Sequence, residues 1–125
     1  MAQATPQPVS FVTIERSKDL IVSFALTLDD EGDVASLTLI RTPVYEPLLP
    51  PDERGVSVSH ELYPEIEDER MRRIQISRDR VEITTTEQRH FVLDVSRVDP
   101  KEMRSALKVL RRMNFDRNFE LDSTA

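Results

Sequence analysis

The chain has 125 residues, with 23 acidic side chains against 17 basic ones, a net charge of −6, no cysteine and only two glycines. That length suits one domain with a core of its own. The missing cysteine excludes disulfides, a thiolate nucleophile and cysteine-ligated metal. The acidic balance argues against a nucleic-acid binder, whose phosphate contacts need a basic surplus.

Met1 to Pro8 reads MAQATPQP, with neither a basic nor an apolar stretch, so it is expected to be a disordered tail and not a signal peptide. Nowhere do eighteen apolar residues run together, so no membrane span is expected. With cysteine absent, the cytoplasm is the expected location.

Val9 to Glu15 reads as a strand with Phe11 and Thr13 on one face. Leu20, Val22, Phe24, Leu26 and Leu28 then fall at period two, the pattern of a half-buried strand. A Ser17-Lys18 turn would pair Phe11 with Phe24 and Val9 with Leu26, bringing the apolar faces together. The acidic turn Asp29–Asp33 leads into a third strand, Asp33 to Thr42, whose expected register sets Leu26 opposite Leu37 and Phe24 opposite Leu39.

Pro43 to Gly55 holds four prolines in nine residues, which excludes helix and central strand. A short strand follows at Val56–His60. The acidic stretch Glu61–Glu69 has only Leu62, Tyr63 and Ile66 as apolar anchors. Beyond it a second meander is predicted, with inward sets Ile74 and Ile76, Val81 and Ile83, then Phe91, Leu93 and Val95. An Arg78-Asp79 turn pairs Ile76 with Val81. A three-residue loop, Glu87 to Arg89, would pair Ile83 with Leu93 and Val81 with Val95.

The last element is the best marked. Asp99 is an N-cap, Pro100 stands at the first helical position, Glu102 completes a capping box, and Val98 with Met103 fits a hydrophobic staple. Met103, Ala106, Leu107, Leu110 and Met113 form an apolar stripe, and Asn114 is the expected C-cap. The domain is thus expected to span 9–121, with a helix near 99–114 and a tail at 122–125. The fold class is α+β, mostly β: about seven antiparallel strands in two meanders, forming a curled sandwich or partly open barrel with one C-terminal helix. That order is similar to pleckstrin-homology folds; a single curved sheet with the helix across its face is the alternative.

Chemistry is hard to find. Two glycines, Gly32 and Gly55, build no phosphate-cradling loop. His60-Glu61 begins like a zincin helix, but Pro64 stands where the second histidine belongs. Ser57 and Ser59 lack the flanking residues of a nucleophile elbow. His90 and Asp94 point outward on one strand. Asp94-Val95-Ser96 resembles the start of the D-x-S-x-x-G segment of PilZ domains, yet Asp99 replaces the glycine and no R-x-x-x-R pair precedes it. No catalytic residue, metal site or cofactor is therefore assigned.

Two features remain as candidate partner-binding sites. Arg104, Lys108, Arg111 and Arg112 make a basic stripe on an acidic protein; it complements the helix dipole and equally suits an acidic partner. The Pro47-Leu48-Leu49-Pro50 run, with Tyr45 beside it, is either a rigid crossover whose leucines cap the core or a docking loop. The expected function is a non-enzymatic protein-interaction module, such as an adaptor, accessory subunit or immunity-type inhibitor. A homodimer is a further expectation. The alternative is a small-ligand binder, or minor enzyme, with a pocket at the barrel mouth.

Overall fold

The computed structural model describes residues 6–28, 32–66 and 69–124; the acidic residues Asp29, Asp30, Glu31, Glu67 and Asp68 and the chain ends 1–5 and 125 lie outside them. Alternating apolar residues build strands β1 (Gln7–Arg16), β2 (Leu20–Thr27) and β3 (Val34–Arg41) as an antiparallel meander. The proline-rich segment follows, then β4 (Ser57–His60). A second meander comprises β5 (Met71–Ile76), β6 (Arg80–Thr85) and β7 (His90–Asp94). The helix α1 (Pro100–Met113) leads to a last strand, β8 (Glu120–Ser123).

All eight strands form one sheet in the order β4-β3-β2-β1-β7-β6-β5-β8. The expectation of about seven purely antiparallel strands is corrected in two places. Val9 and its neighbours join the two meanders through a parallel contact, Gln7 opposite Leu93 and Pro8 opposite Asp94. The segment read partly as tail adds β8 parallel to β5, and the helix supplies the long crossover that a parallel neighbour needs. Pairing thus begins at Gln7 and runs to Ser123, into both stretches expected to be tails. The sheet curls: edge strand β4 bridges to Arg70 through Ser57, with Val58 N–H donating to the Glu69 carbonyl (3.1 Å) and Met71 N–H to that of Val56 (2.8 Å).

Registers repay a residue-level comparison. The β5–β6 pairing is as predicted, Ile76 opposite Val81 and Ile74 opposite Ile83. In the first hairpin Val9 does face Leu26, but a bulge between Val9 and Phe11 sets Val12, not Phe11, opposite Phe24. The turn takes three residues, Ser17–Asp19, and the extra residue is absorbed at the bulge. Phe11 is therefore 46 % exposed while Val12 is buried. Two other hairpins differ from prediction by two residues: Phe24 meets Leu37, and Val81 meets Leu93. A shift of two preserves the inward face. The β6–β7 loop is three residues long as expected, but comprises Thr86–Gln88, with Gln88 taking the left-handed position (φ 67°).

The core is one continuous cluster. Phe24, Leu39, Ile83, Leu93 and Leu110 all lie in it at 0–1 % exposure. Asp99 caps α1 by accepting from Lys101 N–H at 2.8 Å, with Pro100 at the first position. Glu102 does not close a capping box. Its Oε1 accepts instead from Val12 N–H at 2.8 Å, so the helix start is tied to β1 just past the bulge. The buried stripe is Ala106, Val109, Leu110 and Met113; Met103 and Leu107 are only half-buried at its margin.

Leu110 is wholly enclosed, so Leu110→Ala should cost roughly 2–5 kcal/mol in chemical denaturation. A loss below about 0.5 kcal/mol, the scale of ordinary surface substitutions, would contradict this packing.

Candidate docking surfaces and the buried clamp

Arg41, at the end of β3, is 1 % exposed, and a buried charge survives only if it is paired and hydrogen-bonded. Its five N–H donors are all spent. Nε and one NH2 donor go to the two oxygens of Glu46 (2.8 Å each). Asp116 receives one bond from each terminal nitrogen (2.8 Å each), and the Met113 carbonyl at the end of α1 takes the fifth (2.6 Å). The Phe115 ring lies over the guanidinium at 4.4 Å from its centroid.

Electrostatics follow from this geometry. Burial opposes the Arg41 charge, but the bonds to Asp116 and Glu46 outweigh it and hold the guanidinium above its usual value. The hydrogen bonds from Arg41 in turn hold the carboxyls of Glu46 and Asp116 below theirs. The clamp reaches further still. Gly55 N–H donates to Glu46 Oε2 at 3.2 Å, and Asn118 N–H to Asp116 Oδ1 at 3.2 Å. Gly55 itself has φ +124°, and a side chain there would meet the Asn118 amide oxygen at 2.6 Å. The positive φ favours glycine there, and any side chain would also have to push the Asn118 amide aside.

Glu46 belongs to the proline-rich segment, so the clamp fixes that segment's shape. The expectation that four prolines exclude helix needs correction: Pro43–Leu48 and Pro51–Glu53 form 3-10 turns, each with proline where no donor is required. The leucines do not cap the core. Leu48 is 82 % exposed, Val44 57 %, Tyr45 52 % and Leu49 39 %, and Phe115 beside the clamp is 60 % exposed. Lys18 stands over the Tyr45 ring at 5.8 Å.

The basic stripe is outward-facing throughout: Arg104, Lys108, Arg111 and Arg112 are exposed, and among the described residues none of them forms an ion pair. The structure divides it. Arg111 and Arg112 directly precede Met113, at the clamp. Arg104 lies about 12 Å further back along the axis, at 1.5 Å per residue. It lines a groove of about 590 Å³ between the first half of α1, the β5–β6 turn and the β7–α1 connection. Sequence reasoning missed this groove and the role of Arg41. An arginine closing an apolar strand was the one visible sign of the latter.

Three other polar residues make contacts within the sheet and its loops. Glu69 is buried and accepts from Thr85 Oγ1 (2.5 Å) and Arg89 Nε (2.6 Å). His90 is exposed, as expected, and bridges Thr84 (3.1 Å) and Glu82 (3.2 Å) across β6 and β7. His60 is 2 % exposed between the rings of Tyr63 and Phe91 (centroids 4.8 and 5.5 Å). Its Nδ1 accepts from Leu62 N–H at 3.1 Å, which leaves the proton of the neutral ring on Nε2, where it finds no partner among the described residues. Among those residues no group of three or more histidine, aspartate or glutamate side chains is placed to hold a metal ion, and no helix is long and apolar enough to cross a membrane.

Two predictions follow from the buried charges. Arg41→Met strands Glu46 in the interior and should cost roughly 3–5 kcal/mol by denaturation; a loss under about 1 kcal/mol, typical of an exposed pair, would refute the clamp. The second concerns pH. Burial holds His60 below its ordinary value of 6.5, with Glu61 opposing. The unfolded chain therefore binds the proton first, and stability falls as pH drops below about 6.5 toward the folded value. Glu46 and Asp116, held low by Arg41, contribute stability that is complete above about 4.5 and lost below it. Melting temperature should decline in two stages on acidification, and His60→Phe should remove the upper one. A flat profile from about pH 7 to 5 would contradict the buried neutral imidazole.

No family model matches the chain, no curated protein does, and no solved structure does.

Proposed function

We propose that this protein is a non-enzymatic interaction module that docks a partner protein through the 43–49 loop and the adjoining end of α1. One observation carries the reading: a row of apolar side chains, Val44, Tyr45, Leu48 and Leu49, faces solvent on a loop whose backbone is held by a buried ionic clamp. Exposed apolar residues on a flexible segment would collapse or lose entropy on binding; on a rigid one they are preorganised for contact. Tyrosine and leucine side chains are suitable anchors, and the neighbouring Arg111 and Arg112 give the patch a positive rim on a chain of net charge −6. The partner segment is accordingly apolar with acidic flanks. Lys108, one turn back, extends the same field along the helix.

The test compares capture from the native host by the wild-type chain, by Leu48→Glu, and by the triple reversal Lys108→Glu, Arg111→Glu, Arg112→Glu. Melting curves verify that each variant folds. A partner retained by the wild type should bind at least about tenfold more weakly to Leu48→Glu, as for a hot-spot anchor. The triple variant should lose most of the salt dependence, because exposed charges are screened beyond about 10 Å at 0.1 M salt. Unchanged affinity in both variants would overturn the proposal. If sedimentation shows a dimer that Leu48→Glu dissolves, the partner is a second copy.

A further inference from the structure

The groove beside the first half of α1 has a chemistry distinct from that of the loop. Its floor is apolar: Ile76, Val95 and Val98 are buried, and Met103 and Leu107 are the helix residues left half-covered by the core. Its volume, about 590 Å³, lies in the range of small-molecule sites, roughly 300–1,000 Å³.

Several backbone donors around it are engaged within the fold. Ser77 N–H donates to the Arg80 carbonyl, Val95 N–H to that of Asp79, Val98 N–H to that of Val95 and Thr124 N–H to that of Ile76. The hydroxyls of Ser77 and Thr124 are likewise turned to carbonyls of Arg80 and Ile76, and that of Ser96 to Asp94. The lining also holds a pair of guanidinium groups, Arg78 from the β5–β6 turn and Arg104 from α1, which form no hydrogen bond or ion pair among the described residues. A single carboxylate, Asp79, shares the lining. Two cations against one anion favour a ligand bearing one negative charge over a phosphate dianion. The planar fork of arginine fits a carboxylate.

We propose that this groove binds a small organic monoanion: a carboxylate held by Arg78 and Arg104, with an aliphatic chain laid along Met103 and Leu107. The site is independent of the 43–49 loop.

Octanoate is a suitable probe, titrated into the full-length protein and followed by calorimetry and by amide and methyl chemical shifts. Saturable binding at one site is expected, with shifts centred on Val95, Val98, Met103 and Leu107. Arg78→Gln with Arg104→Gln, both exposed positions, should weaken it at least about tenfold, the scale of a lost charge-assisted hydrogen bond. 1-Octanol, with the same chain and no charge, should bind at least tenfold more weakly, and acetate, with the charge and no chain, should not saturate. Leu48→Glu should bind octanoate normally. Equal binding of octanol, unchanged affinity in the double glutamine variant, or shifts centred elsewhere would each overturn the proposal.

Discussion

A guanidinium removed from water requires all of its donors to be met, and Arg41 meets that demand in a cluster that joins four parts of the chain. The carboxylate of Glu46 comes from the proline-rich loop, the carbonyl of Met113 from the helix end, Asp116 from the segment after it, and Arg41 itself from β3. None of these segments can move without leaving a buried charge or carbonyl unpaired. The loop's two short 3-10 turns supply only a few backbone bonds, and this side-chain network ties them to β3 and the end of α1. Gly55 and Asn118 extend the constraint, since their backbone N–H groups donate to the same two carboxylates.

The helix inherits its position from two anchors. At its end Arg41 holds the Met113 carbonyl, and at its start Glu102 reaches Val12 N–H on β1. Between them the face centred on Ala106, Val109, Leu110 and Met113 is pressed into the core. A helix rotated to bury Met103 and Leu107 fully would break both anchors. These two side chains therefore stay at the edge and floor a groove. One rotational setting thus yields an apolar display at one end of α1 and an amphipathic groove at the other.

Local chemistry in the amino-acid sequence was enough to determine the strand periodicity, the β5–β6 register, the Asp99 cap, the helix and the apolar faces that carry Phe24, Leu39, Ile83, Leu93 and Leu110, because each depends on near neighbours and a period of two or 3.6. Registers governed by loop length slipped by two residues, since two-residue shifts leave the apolar face unchanged and the pattern cannot distinguish them. The exposed stripe Arg104, Lys108, Arg111 and Arg112 was legible for the same reason as the helix. What only the tertiary structure decided is where distant segments meet. The bulge that turned Phe11 outward, the diversion of Glu102 to β1, the parallel placement of β8 and the burial of His60 between two rings all arise from contacts remote in sequence. So does the exposure of Leu48 and Leu49. A leucine beside a proline reads the same whether it faces core or water, and here both face water, on a loop that Arg41 ties down through Glu46.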